Sequence, residues 1–260
     1  MNLFLYLSFY TFILFSIIGY GNIFHKLFFK KVEIDLGYLG FFGIFFLLLI
    51  SYTLNMFIPL GAYINILILF IGIVFFLNLL YRKFYELKIN FFILGIIFLL
   101  LILFILSAKN HDDFPYYHFA YIQLITKFSN SLGLGLFNHG FRTPSSIFYL
   151  SSLFYLPKAG YSLIHLAPVF FLGFANYFFI TKIYLNLKNR ENFYIIFLSL
   201  LSLSLINIFF YRMAEHGTDR SAQILILIIF TELLQLVNLK KFDASLLNKI
   251  LILITITISL

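Results

Sequence analysis

At 260 residues, 62% apolar and only 11% charged, the chain departs from a soluble domain, in which about a quarter of residues carry charge. A mean hydropathy of +1.01 points the same way, to a polytopic membrane protein. The net charge of +8 fits Lys and Arg gathered in cytoplasmic loops and requires no nucleic-acid partner, and the lack of cysteine excludes a disulfide framework and thiolate metal sites.

In chain order, apolar windows predict membrane-spanning helices near residues 3–20, 38–58, 62–81, 91–107, 160–181, 193–211, 221–239 and 250–260. The start, Met1 to Tyr6, has no basic n-region and no small-residue cleavage site follows, so the first helix reads as a retained anchor. The last window is shorter than a full span, as in a fragment of a longer protein. The expected fold is all-α, a polytopic helical bundle of about 8 spans forming one integral membrane domain over 1–260.

The linkers alternate in charge. Lys26, Lys30, Lys31, Arg82, Lys83, Lys88, Lys182, Lys188, Arg190, Lys240, Lys241 and Lys249 occupy one set of loops, twelve of the 18 Lys and Arg. The other six, Lys109, Lys127, Arg142, Lys158, Arg212 and Arg220, fall in the intervening set. The positive-inside rule assigns the first set to the cytoplasm. It leaves the N-terminus, the long 108–159 region and the 212–220 loop outside. Within that long region, Tyr116 to Phe128 is expected to be a helix. Tyr117, Tyr121, Leu124, Ile125 and Phe128 share its apolar face, which would lie along the membrane interface. Ser129 to Gly140 reads as a loop, and Ser145 to Pro157 as an interfacial or re-entrant helix too short to span.

Three polar clusters fall on the outer side. The first runs from Asn110 through His111, Asp112, Asp113, Phe114, Pro115, Tyr116 and Tyr117 to His118, directly after the apolar run Phe91 to Leu106. Adjacent carboxylates repel when both are ionised, which raises one pKa and suits a general base. The same pair suits a divalent metal, with His111 or His118 as a nitrogen ligand. A solvated helix exit is the plain alternative. The second cluster is Asn138 to Ser146, with His139, Arg142 and Pro144. A helix started by Pro144 beside Arg142 suits an anion, as does an ordinary capped loop. The third is Tyr211 to Ser221, where Arg212, Glu215, His216, Asp219 and Arg220 crowd one short turn. Its two arginines suit a phosphate, oriented by Glu215 or Asp219.

Single residues inside or beside the spans are read more plainly. Glu232 is expected to line an internal cavity or, the favoured reading, to lie close enough to the cytoplasmic end of its helix to reach water. His165 and Asn176 are expected to hydrogen-bond between helices, and His25 to sit in a cytoplasmic loop.

A membrane helix that ends outside in an Asp-Asp pair, then an interfacial helix, then an apolar helix started by proline, resembles the GT-C superfamily of membrane glycosyltransferases. The resemblance covers about residues 91–220 and centres on Asp112-Asp113 and on Arg142-Thr143-Pro144-Ser145-Ser146-Ile147. The acidic pair follows the fourth predicted span where the family usually has it after the first, and one proline stands where the family often has two. The resemblance implies a bacterial inner-membrane enzyme working on the periplasmic side. Its donor would be a polyprenyl-phosphate-linked sugar. Asp112 or Asp113 would serve as base, and Arg142, Arg212 or Arg220 would take the leaving phosphate, with a divalent metal as an optional partner. His111, His118, His139, Glu215, His216 and Asp219 would support the site. Other readings of the same sequence are a lipid-linked sugar flippase or transporter, a polysaccharide polymerase or ligase, and a membrane protein without catalysis.

Overall fold

In the computed structural model the described residues are 2–29, 35–106, 112–129, 133–136, 139–142, 145–189, 192–208, 219–239 and 243–260. Among them there are only helices, turns and loops, with one isolated β-bridge between Leu156 and Gly160. The helices are α1 Leu3–Phe28, α2 Leu36–Asn55, α3 Ala62–Leu106, α4 Phe119–Lys127, α5 Ile147–Leu153, α6 Leu166–Asn189, α7 Phe193–Ile208, α8 Asp219–Asn238 and α9 Ala244–Ser259. Five of them, α1, α2, α3, α6 and α8, are long and apolar enough to cross a membrane, and α7 and α9 are shorter apolar helices. The architecture is that of a helical membrane bundle.

The first helices pack through glycine. A Cβ on Gly19 would run into the carbonyl of Gly72, and one on Gly43 into the carbonyl of Ile17, so α1 lies against α2 and α3 nearly backbone to backbone. Where both helices face lipid, such close approach supplies the van der Waals contact that the hydrophobic effect does not. Asp35 caps α2 by accepting from Tyr38 N at 3.0 Å, and Asp243 caps α9 by accepting from Ser245 N at 2.9 Å.

Helix α3 combines two of the predicted spans. Lys83 leaves helical geometry (φ −133°, ψ 15°), and the chain turns back there. The rings of Phe76 and Phe91 meet edge to face at 5.8 Å. Fifteen residues of straight helix would hold them about 22 Å apart. The loop expected around Arg82 to Lys88 is therefore helical up to a single broken position. The predicted end of the first span also moves, because α1 continues to Phe28. His25 lies inside this helix, buried and stacked at 5.8 Å on Phe29, and not in a loop.

Charge divides the bundle into two ends. At one end the charges of Arg82 and Lys83 act on Lys26, and those of Lys249 and Lys83 on His25. This basic end therefore gathers the last turn of α1, the bend of α3 and the first turns of α9. At the opposite end the α2–α3 turn is tied to α4 and α5. Leu60 N donates to Ile125 O at 3.0 Å, and Asn55 Nδ2 donates to Ile125 O at 3.2 Å and Phe128 O at 3.1 Å. Asn65 Nδ2 donates to Leu60 O, Ser152 O and Tyr155 O at 2.8 to 2.9 Å.

Two expected hydrogen bonds between helices are present in this frame. The Tyr6 hydroxyl lies 2.7 Å from His165 Nε2, just before α6, and Asn207 Nδ2 donates to Asn176 Oδ1 at 2.6 Å across α6 and α7. Helix α5 is a short buried segment, with every residue from Ile147 to Leu153 buried, followed by a turn in which Lys158 and Gly160 take positive φ.

Candidate functional site

The acidic pair lies between α3 and a π-helical turn, Phe114–His118, that leads directly into α4. Asp113 O accepts from Tyr116 N and Tyr117 N, both at 3.2 Å, and Pro115 occupies the first turn, where a missing N–H costs nothing. A π turn inserts one residue into helical register and re-aims the side chains around it. Asp112 is exposed, Asp113 half-buried and Tyr116 exposed, while His118 is turned fully inward. The His118 ring lies 4.3 Å from the Tyr117 ring and 5.1 Å from the Phe148 ring. It lines a small crevice with Ile122, Ile147, Ser151 and Pro168 beneath the acidic turn.

The structure corrects the expected face of α4. Its buried residues are Tyr121, Ile122, Ile125 and Thr126; Leu124 is only half-buried, and Phe128 lies past the helix end and is exposed. This face packs on α5 and the α2–α3 turn.

The second polar cluster reaches the first through Gly140. A Cβ at that position would overlap Cγ and Cβ of Tyr117, so the 3₁₀ turn His139–Phe141 rests directly on the tyrosine that follows the acidic pair. Arg142 leaves this turn with Nε donating to Gly135 O at 3.2 Å and its side chain exposed, and His139 is exposed beside it. Thr143 and Pro144 lie outside the described residues. The anion site expected at the start of α5 is closed by the protein itself. Ser146 N donates to Ser259 O at 2.9 Å, and Ile147 N donates to Ser145 Oγ at 3.3 Å.

Next to this turn is a tyrosine cluster that sequence reasoning did not single out. Tyr52 and Tyr149 stack with centroids 3.8 Å apart, and Tyr121 lies 5.3 Å from Phe141 and 6.4 Å from Tyr149. Burial raises the Tyr121 and Tyr149 hydroxyls above the usual phenol value, which keeps both protonated, with Tyr121 donating to Tyr149. They line a crevice with Asn55, Leu124, Phe128 and Ser129. The only advance signal was the tyrosine count of 18 in a chain without Trp.

The Gly140–Tyr117 contact sets the turn carrying His139 and Arg142 against the segment that carries Asp112, Asp113 and His118. His111, Arg212, Glu215 and His216 lie outside the described residues. Asp219 opens α8, with Arg220 half-buried in its first turn. Among the described residues no three His, Asp or Glu side chains converge as a metal would need, and His111, the third member of the expected set, is not among them.

Glu232 departs from expectation. It is fully buried and does not reach water, and its Oε1 lies 2.6 Å from Lys182 Nζ. Lys182 also donates to Gln235 Oε1, Lys249 Nζ sits 4.5 Å over the Tyr38 ring, and the charges of Glu232, Asp35 and Asp243 all act on Tyr38. This second polar cluster joins α2, α6, α8 and α9 at the basic end.

Neither a curated protein nor a solved structure matches the chain. One family model matches residues 1–260, and the protein belongs to that family, described as a domain of unknown function (DUF8201).

Proposed function

We propose that the protein is a GT-C-like membrane glycosyltransferase that moves a sugar from a polyprenyl-phosphate donor to an acceptor hydroxyl on the extracytoplasmic face of a bacterial inner membrane. The observation that carries this reading is the seating of the Gly140 turn on Tyr117, which brings the segment bearing Arg142 onto the segment bearing Asp112 and Asp113. A base and a phosphate partner then share one side of the bundle, away from the lysine-rich end. By the positive-inside rule the lysine-rich end is cytoplasmic. In this reading α3 crosses twice at its bend and the shorter α7 and α9 cross with the five long helices, which makes eight crossings.

In this reading one carboxylate, Asp112 or Asp113, takes the proton of the acceptor hydroxyl. The freed oxygen pair attacks the anomeric carbon, and the C–O bond to phosphate breaks with its pair leaving on the phosphate. Arg142, with Arg212 and Arg220, balances the charge that grows there. Asp112→Asn and Asp113→Asn, assayed for transfer from a polyprenyl-phosphate sugar, test the proposal. Loss of at least two orders of magnitude in one of them is expected. Full activity in both removes the general base and the reading with it.

One observation favours a second reading, transport of a lipid-linked sugar. The Lys182–Glu232 pair is ionisable and buried between α6 and α8, as the polar groups of transporters are, though at the basic end of the bundle and not at mid-span. Glu232→Gln separates the two, because a transporter loses flux while a transferase with intact outer residues keeps sugar transfer.

A further inference from the structure

The bend of α3 crowds cations at the end of α1. Arg82, Lys83 and Lys88 lie on the bend, and α1 runs alongside this half of α3, with Gly72 against Ser16 and Phe76 against Gly19. That register, carried on up the two helices, brings Lys26 level with Arg82 and Lys83. Among the described residues one acid is paired with these four cations, Glu86, which lies 3.1 Å from Lys83. Positive groups held together by two packed helices repel unless an anion joins them, and Arg82, Lys26 and Lys88 are all exposed to receive one. The surroundings are apolar and open. Tyr81 is 93% exposed and Tyr85 86%, and Phe28, Leu77 and Phe84 are exposed beside them. Tyrosines at this position mark the headgroup level of a bilayer, with the apolar side chains facing acyl chains.

We infer that the end of α1 and the bend of α3 form a binding site for the phosphate headgroup of an anionic phospholipid, held by Lys26, Arg82 and Lys83. A phosphodiester presents two oxygens to the planar fork of an arginine, and flanking lysines supply charge without fixed geometry. A lipid fits better than free phosphate because the site opens sideways onto exposed apolar faces of α1 and α3, which acyl chains cover and an inorganic ion does not. The inference is independent of the reaction proposed at the other end of the bundle.

Native mass spectrometry of the purified protein with phosphatidylglycerol or phosphatidylcholine of matched chains tests it. Each basic residue near an anionic headgroup favours binding by about fivefold, so the wild type is expected to retain phosphatidylglycerol by at least that factor over phosphatidylcholine. Lys26→Gln/Arg82→Gln/Lys83→Gln brings the two lipids to parity, with an unchanged melting temperature in phosphatidylcholine as the folding control. Should the triple variant fail to fold, Arg82→Gln and Glu86→Gln decide, since the first lowers phosphatidylglycerol retention and the second raises it. Equal retention of both lipids by the wild type overturns the inference. So does full retention by the variants, or displacement of the lipid by millimolar inorganic phosphate.

Discussion

Lys182 Nζ and Glu232 Oε1 lie 2.6 Å apart, the carboxylate fully buried and the ammonium largely so, on helices 50 residues apart in sequence. Removing two charges from water costs several kcal/mol each, so the pair persists because each charge compensates the other. Glu232→Ala or Lys182→Ala alone is expected to cost about 3–5 kcal/mol, seen as a lowered melting temperature in detergent. The double replacement Lys182→Met/Glu232→Met recovers most of that loss. Neutral single variants would mean that water reaches the carboxylate.

The glycine crossings make a prediction of contrast. Gly19→Ala puts a methyl against the Gly72 carbonyl and is expected to cost about 1–3 kcal/mol by forcing α1 and α3 apart. Gly95→Ala, also in α3, meets no heavy atom within 4 Å and is expected to stabilise by about 0.5–1 kcal/mol, because alanine loses less backbone freedom in a helix. Parallel unfolding curves of the two variants check both signs.

Hydropathy located the helices because length and apolarity are local properties. The errors lie where the decisive contact is not local. Lys83 marked a turn between two spans, but with no Gly or Pro beside it the chain bends at one residue and stays helical on both sides. Lys26 suggested a loop around His25, yet the helix runs on to Phe28 and carries the lysine at its edge. The face of α4 was misread because its packing partners, α5 and the α2–α3 turn, are distant in sequence and bury Ile122 and Thr126 where apolarity alone favoured Leu124 and Phe128. Asp112 and Asp113 stood out as acids in an acid-poor chain. The contact that brings the Arg142 segment to them depends on a glycine at 140 fitting a ring at 117, which no single-sequence pattern encodes. The partner of Glu232 was equally hidden, since Lys182 was counted among loop cations.

That glycine gives a test of the site apart from its charges. Gly140→Ala collides with the Tyr117 ring and displaces the turn carrying His139 and Arg142. The turn is only half-buried, so the cost in stability is expected to stay at about 1 kcal/mol, while sugar transfer falls by about 10²-fold, more than that loss explains, through misplacement of the phosphate partner. Measuring melting temperature and kcat/KM together checks the separation. Unchanged transfer would detach this turn from the chemistry.

The end of α9 offers a test of how the bundle closes. Ser146 N donates to Ser259 O, and the two hydroxyl oxygens lie 3.1 Å apart, so α9 finishes against the first turn of α5. The natural chain has no cysteine, and any disulfide in an engineered variant comes from the introduced pair alone. Ser146→Cys/Ser259→Cys is expected to oxidise within one chain, blocking maleimide labelling and changing mobility on a non-reducing gel. Ser146→Cys/Ser245→Cys is the control, because Ser245 lies at the far end of α9, about 21 Å along the helix. With labelling done after denaturation, since Ser146 and the Ser245 hydroxyl are buried, it is expected to remain fully labelled. If both pairs label equally, α9 does not dock on α5, and the closure of the start of α5 by Ser259 is wrong as well.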